Sequence, residues 1–391
     1  MFEKNEPIDL LTLSDYLRKN SRLDDAGGVT FLTQLMQTVA TAANIRHYAK
    51  IVREKYILRN LINIATEIAT EAYEETDDVD QLLDRAEQKI FEISQNKMLP
   101  AFVDIERIIK DTIKHIETLY SRKELITGLP TGFIDFDQKT AGLQASDLII
   151  IAGRPSMGKT AFCLNIAQNV ATTVKIPVAI FSLEMSKEQL AIRLICSQGQ
   201  IDGSKLRTGY LAKSDWDKLT YAAGVLSDSP LFIDDSPGPT VLDIRARARR
   251  LQSQHGLALV IIDYLQLIRN RQSRTENRQQ EISEITRSLK SLAKELNVPV
   301  IALSQLSRAV EQRQDRRPQL ADLRDSGAIE QDGDLIVFLY RDEIYNKNSP
   351  DTGTAELIIS KQRNGPTGTL KLSFQKQYTR FSDYTARMEG F

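Results

Sequence analysis

The sequence is poor in the residues that make covalent cross-links and transition-metal sites. Its 391 residues include two cysteines, Cys163 and Cys196, and three histidines, His47, His115 and His255. Both cysteines sit in apolar helical patterns and read as buried thiols of a reducing compartment, and neither they nor the isolated histidines have metal-ligand spacing. No apolar run reaches the ~18 residues that a bilayer-spanning helix needs. Met1 leads into a charged stretch, not into the apolar core of a signal peptide. An excess of charge is missing too: 51 Lys and Arg against 52 Asp and Glu leave a net charge of −1. No global basic field therefore attracts nucleic acid, and polyanion binding must use local patches. These absences predict a cytoplasmic protein, with the ordinary soluble composition of 41% apolar and 26% charged residues.

What is present is concentrated first at Gly153-Arg154-Pro155-Ser156-Met157-Gly158-Lys159-Thr160. The apolar run Asp147–Ala152 precedes it and the helical pattern Ala161–Ala167 follows it. Strand, glycine loop and helix are the context that a G-x-x-x-x-G-K-T phosphate loop requires. Glycines let backbone N–H groups approach a polyphosphate, and the helix N-terminus adds a favourable dipole. Lys159 can reach the β- and γ-phosphates, and the Thr160 hydroxyl can hold Mg²⁺.

Along the chain, residues 1–97 read as all-helical, with Leu61, Ile64, Ala65, Ile68 and Ala72 at helical spacing. Val79, Leu82, Leu83, Ala86, Ile90 and Ile93 repeat the pattern after Asp77-Asp78. A linker over 98–125 holds an amphipathic helix bearing Ile105, Ile108, Ile109, Ile113 and Ile116, between breaks at 96–100 and 128–132. Its stripe must be buried somewhere, on its own chain or on a neighbouring subunit. From 126 to 391 short apolar runs alternate with helical stretches, at 147–152, 177–183, 231–234, 257–262, 298–303, 334–340, 355–360 and 369–374. This predicts a mostly parallel α/β sheet, with the last two runs as a hairpin at its edge.

In such sheets ligands bind at the carboxyl ends of the strands. Three runs end in Glu184, Asp263 and Gln305, all on the edge of the phosphate loop. Asp263 is suited to hold Mg²⁺ directly or through water, Glu184 to orient and deprotonate an attacking water, and Gln305, neutral and bidentate, to report whether the γ-phosphate is present. In the run 356–365, Lys361 and Arg363 project together, because strand side chains alternate faces. A surface basic pair is one reading. The other is an arginine finger acting in trans, typically worth roughly 10³–10⁵ in rate, which requires a head-to-tail ring or filament.

Arginines also cluster after the Asp263 strand, at Arg269, Arg271, Arg274 and Arg278, and after the Gln305 strand, at Arg308, Arg313, Arg316 and Arg317. Taken singly these are solvated loops diluted by Glu276, Glu311 and Asp315. In a ring they would converge on the central hole and form a basic channel for single-stranded backbone. Neither loop carries stacking aromatics, so the contacts would be to phosphate and independent of sequence.

The phosphate loop, Phe181–Ser186, Ile261–Leu267, Leu303–Arg308, Asp322–Asp332 and Lys361–Gly365 together resemble the replicative DNA helicases of the DnaB family, over nearly the whole chain. The resemblance implies a RecA-like P-loop motor over 126–391, preceded by the helical domain and the linker helix. It implies a hexameric ring that uses ATP and Mg²⁺ to translocate on single-stranded DNA and unwind duplex at replication forks in the cytoplasm. Gly153, Ser156, Gly158, Lys159, Thr160 and Ala161 then bind phosphates, with Thr160 and Asp263 at the metal. Glu184 is the catalytic base, Gln305 couples nucleotide state to DNA loops, and Arg363 with Lys361 acts in trans. Arg324, Asp325 and Gly327 match a loop that contacts the DNA backbone, and the linker helix matches one that docks on the adjacent motor. Primase and a helicase loader are the partners the family implies. Its N-terminal domain begins with further helices before the segment matching Pro7–Leu13, so an incomplete collar-type domain is expected here. Two other readings stay open: a RecA-like ATPase that pairs or coats DNA without unwinding, and a nucleotide-switched scaffold or loader partner.

Overall fold

The computed structural model describes residues 10–38, 45–74, 82, 85–86, 89–90, 104–122, 125–268, 278–323, 327–346 and 348–385. The chain divides into two compact units, Met1–Lys114 and His115–Phe391.

In the first unit, helices α1 (Leu10–Lys19) and α2 (Gly28–Thr38) precede the long α3 (Ile45–Tyr73). Gly27 and Gly28, at φ +85° and +70°, turn the chain into α2 in a conformation that side-chain-bearing residues adopt poorly. The expected helical residues Leu61, Ile64, Ala65, Ile68 and Ala72 lie within α3. Leu82, Ala86 and Ile90 are helical as well. Val79, Leu83, Ile93 and the break at 96–100 lie outside the described residues. Helix α4 (Ile105–Arg122) starts in this unit and carries the isoleucine stripe. Ile105, Ile108, Ile109, Ile113 and Ile116 are all exposed.

The second unit is built on a sheet of nine strands among the described residues, in the order β3-β2-β4-β5-β1-β6-β7-β8-β9. β1 (Leu148–Gly153), β2 (Val178–Ser182), β3 (Leu231–Asp234), β4 (Leu259–Asp263), β5 (Val300–Gln305) and β6 (Leu335–Tyr340) run parallel. β7 (Thr354–Gln362), β8 (Gly368–Gln375) and β9 (Arg380–Asp383) continue antiparallel from β6. Every residue of β1, β2, β4 and β6 is buried. Strands covered on both faces read as continuous apolar runs, which is why these four stand out in the sequence. Strand alternation divides them between two cores. Ile149, Ile151, Ile180, Ile261, Ile301 and Val337 pack on one face with Phe162 and Ile166 of the helix Lys159–Asn169. Leu148, Ile150, Ile262, Val300 and Ile336 pack on the other with Leu289 and Leu292 of the helix Arg278–Leu296.

One expectation is corrected. The β7–β8 hairpin is not the edge of the sheet, because β9 pairs with β8 beyond it. Four residues, three of them polar, leave too short a pattern to read as a strand. No helix among the described residues is long and apolar enough to cross a membrane.

Candidate nucleotide site

The phosphate loop leaves the buried end of β1 and turns into its helix through two left-handed residues, Ser156 at φ +67° and Gly158 at φ +100°. Gly158 is also the N-cap of the helix Lys159–Asn169. A Cβ placed at Gly158 would sit 2.9 Å from Cζ of Phe381. Conformation and space therefore both demand glycine there.

The loop rests on a buried support. The Phe381 ring of β9 meets Phe162 edge to face, centroids 5.7 Å apart, and lies tilted 4.5 Å from Phe374, and the Phe381 backbone N–H donates to Asn165 Oδ1 at 2.7 Å. Arg341, 6% exposed, lies 4.0 Å over the Phe374 ring and donates to Ser156 O at 3.3 Å. On the other flank Arg154, 7% exposed, donates to Leu306 O at 2.8 Å and to Glu311 Oε1 at 2.9 Å. This joins the loop to the segment that follows Gln305. Sequence reading missed Phe381, Arg341 and the Arg154–Glu311 pair. Their partners are far away in the chain, and no local pattern marks them.

Lys159 Nζ donates to two carbonyls of its own loop, Gly153 O at 2.8 Å and Arg154 O at 3.2 Å. Thr160 Oγ1 donates to Asp263 Oδ2 at 2.7 Å. Asp263 ends β4 opposite Ser182 of β2, so Glu184 follows two residues on from the neighbouring strand end. Leu183 N–H donates to Asp263 O at 2.8 Å and fixes that turn. Glu184 is exposed. Gln305 stands opposite Gly153 in the β1–β5 register and is exposed. The Gln266 side chain clamps its backbone, accepting from Gln305 N–H at 3.3 Å and donating to Ser304 Oγ at 3.0 Å.

Burial dominates the electrostatics. It pushes the Asp263 carboxyl above its ordinary range, reinforced by Glu184 and opposed by the Thr160 hydrogen bond and Lys159. It pushes Lys159 down, opposed by the charges of Asp263 and Glu184. Burial also raises the thiols of Cys163 and Cys196, and both cysteines are free and buried. A hydroxyl and a carboxylate within one hydrogen bond of each other form the hard-oxygen pair that Mg²⁺ favours. The Lys159 ammonium, folded on carbonyls beside it, is positioned for phosphate oxygens to take their place. The donor set fits a magnesium nucleoside triphosphate.

Lys361 and Arg363 come together elsewhere. Lys361 Nζ donates to Glu330 O and to Gln331 O at 3.2 Å. Arg363 Nη2 donates to Gln331 O at 3.1 Å, and its Nε pairs with Asp334 Oδ1 at 3.1 Å. Asp334 accepts in turn from Leu148 N–H, at the start of β1, at 2.8 Å. The phosphate loop leaves the other end of that six-residue strand, and at ~3.3 Å per residue the two ends are about 17 Å apart. Within one chain, then, Arg363 and the phosphate loop lie at opposite ends of the parallel strands.

Of the DNA-contact candidates, Arg269, Arg271, Arg274, Arg324 and Asp325 lie outside the described residues, and Gly327 begins a short helix, Gly327–Asp332. The arginines after Gln305 are largely held by their own chain. Arg313 forks onto Asp322 at 2.9 and 2.7 Å. Arg317 grips the buried Glu356 at 3.1 and 2.5 Å, Arg316 lies 5.1 Å over Tyr345, and Arg308 is exposed. Arg313 and Arg317 are thus engaged as braces, one by a carboxylate nine residues on and one by a carboxylate distant in the sequence.

Residues 128–383 match the family of the DnaB-like helicase C terminal domain, and residues 1–54 that of the DnaB-like helicase N terminal domain. The chain belongs to the DnaB-like helicase family. The replicative DNA helicase DnaB of Geobacillus stearothermophilus is 54% identical over 387 residues, covering 99% of this chain and 85% of its own length. The replicative DNA helicase DnaC of Bacillus subtilis is 53% identical with the same coverage. A solved structure of a DnaB-like replicative helicase and its interactions with primase matches with a TM-score of 0.75 and 37% identity, covering 98% of this chain and 89% of that one. As a DnaB-like helicase with the RecA-like fold, the chain is an enzyme of the ATP-hydrolysing helicase class.

Proposed function

We propose that this DnaB-like helicase is a ring motor whose ATP sites are completed between two copies of the chain, and that hydrolysis there moves single-stranded DNA through the ring and unwinds duplex at the replication fork. One observation carries this reading. Arg363 and Lys361 sit at the opposite end of the parallel strands from the phosphate loop of the same chain, so a complete set of phosphate-facing cations takes two subunits in head-to-tail contact.

On this reading Gly153, Ser156, Gly158, Lys159, Thr160 and Ala161 cradle the phosphates. Thr160 and Asp263 would hold Mg²⁺, which would supply charge neutralisation to the triphosphate. Glu184 takes the proton of a water whose oxygen forms the new bond to the γ-phosphorus, the bond to the β-bridging oxygen breaks, and ADP and phosphate leave. Arg363 from the adjacent subunit stabilises the transferring phosphoryl group. Gln305 passes the change to the loops that follow β4 and β5, helped by the clamp from Arg154 to Leu306 and Glu311. Arg269, Arg271, Arg274, Arg324, Asp325 and Gly327 bind the DNA backbone. Segment 324–327 leads into the helix whose last carbonyls hold Lys361 and Arg363. Residues 1–97 correspond to the family's collar-type domain, 98–125 to its linker and 126–391 to its motor, and primase and a loader are the partners the family implies.

Mixed subunits test the shared site. Lys159→Ala subunits keep the finger, and Arg363→Ala subunits keep the phosphate loop. Neither turns over ATP alone, and mixing them restores hydrolysis and unwinding of a forked duplex. Loss at every mixing ratio contradicts trans action.

A further inference from the structure

We infer that Asp334 is a positioning residue for Arg363, holding the guanidinium aimed at the nucleotide of the neighbouring subunit; the inference rests on the shared site proposed above. Asp334 begins the turn into β6 and is 4% exposed. Its two carboxylate oxygens are divided between two tasks. Oδ2 accepts from Leu148 N–H at 2.8 Å and from Lys290 Nζ, and so belongs to the scaffold. Oδ1 faces Arg363 Nε at 3.1 Å. The backbones are tied as well: Arg363 N–H donates to Asp334 O at 3.0 Å, and Asp334 N–H to Leu148 O at 2.9 Å.

Lys290 anchors the assembly from the helix Arg278–Leu296, donating to Ser146 O at 2.7 Å and lying 3.8 Å from Asp147 Oδ1. The carboxylate is thus fixed by two elements before it meets the arginine. The Arg363 side chain is 52% exposed, whereas that of Asp334 is 5% exposed. One edge of the guanidinium is pinned to a rigid buried anion while much of the side chain faces outward. A cavity of about 220 Å³, lined in part by Gln144, Asp147, Asn364 and Arg363 itself, adjoins this point. It gives the guanidinium room to adjust without leaving the carboxylate. A free arginine must lose rotamer entropy when it engages a phosphate, and holding it beforehand removes much of that cost.

Chemistry selects the test. In Asp334→Asn the amide oxygen can take the Oδ2 position and keep the bonds from Leu148 and Lys290. The amide NH₂ then meets Arg363 Nε donor to donor. The substitution breaks the side-chain link to the Arg363 guanidinium, leaves the backbone bond and the Nη2 bond to Gln331 O in place, and preserves the link to the scaffold.

The measurement is ATP hydrolysis by mixed subunits of the full chain. Lys159→Ala subunits give only the finger, and Arg363→Ala subunits give only the phosphate loop. Asp334→Asn added to the finger-giving subunit should lower kcat of the mixture by about ten-fold or more with KM for ATP unchanged. The same change in the loop-giving subunit should alter kcat by less than about two-fold. Asp334→Glu keeps the charge, and in the finger-giving subunit it should recover part of the loss. It also serves as the probe if the asparagine variant fails to fold, lowering kcat in that subunit alone. If the parent mixture never recovers activity, the shared-site reading itself falls. If it recovers and Asp334→Asn has no effect, or acts equally in either subunit, Asp334 is only a scaffold residue and the inference is overturned.

Discussion

Asp263 sits in surroundings that oppose its charge. Burial raises its carboxyl above the ordinary range, and burial lowers the neighbouring Lys159. A carboxyl whose native pKa lies above its unfolded value costs stability above that pKa, and the cost is relieved as pH falls through it. An amine whose native pKa lies below its unfolded value costs stability below that pKa, and the cost is relieved as pH rises through it. Wherever both groups carry their charges both costs are present, as expected where function, not stability, sets the residue. Asp263→Asn should therefore raise the Tm of the nucleotide-free protein, since the amide oxygen still accepts from Thr160, while lowering Mg²⁺-dependent hydrolysis by about 10²-fold or more. The wild type's Mg²⁺-dependent affinity for a non-hydrolysable ATP analogue should weaken on acidification, beginning above the usual carboxylate range. In Glu184→Gln that acid profile should persist although turnover drops by orders of magnitude. The same acid profile in Asp263→Asn would assign the titration to another group.

Among the elements, β9 has a part in the site that its four residues do not announce. Phe381 fills the space behind Gly158, and Asn165 holds its backbone in place. Removing a buried phenylalanine ring costs about 3–5 kcal/mol. Phe381→Ala should lower stability on that scale in urea melts, and at temperatures where the variant stays folded it should weaken nucleotide binding more than kcat. Unchanged affinity would mean that the loop holds its shape without the ring. This element also marks how far sequence reading reaches. The phosphate loop and the strand ends at Glu184, Asp263 and Gln305 were legible because buried parallel strands are unbroken apolar runs and glycine loops have fixed spacing. β9 was not, being short and mostly polar. The Arg313–Asp322 and Arg317–Glu356 bridges were invisible for another reason: whether an arginine faces DNA or a carboxylate depends on how its own loop turns back, as for Asp322 nine residues on, or on which distant segment folds beside it, as for Glu356.

At the scale of the whole molecule, the proposed ring would make assembly the step on which DNA binding depends, given a net charge of −1 and a row of exposed isoleucines. A chain of near-zero net charge has no global field for a polyanion, and on the ring proposed above several copies would bring their local basic loops together. Ile105, Ile108, Ile109, Ile113 and Ile116 of α4 are 65, 45, 49, 49 and 56% exposed. On the ring reading this apolar face is the surface that would dock on the adjacent subunit. Burying an isoleucine fully is worth about 1.5–3 kcal/mol relative to full exposure. Five half-exposed ones can supply several kcal/mol toward docking, enough to decide whether a ring holds once the loss of translational and rotational freedom is set against them. Placing charge in the middle of the stripe, as in Ile109→Asp with Ile113→Asp, should therefore shift the mass in solution from ring to monomer. Hydrolysis should fall with it, because Arg363 no longer meets a partner's nucleotide, and affinity for a single-stranded oligonucleotide should lose most of its steep salt dependence. Binding of ATP analogue to the isolated subunit should persist, since the phosphate loop lies wholly within one motor unit. A double variant that remained a ring of full mass with full hydrolysis would show that α4 does not hold the subunits together.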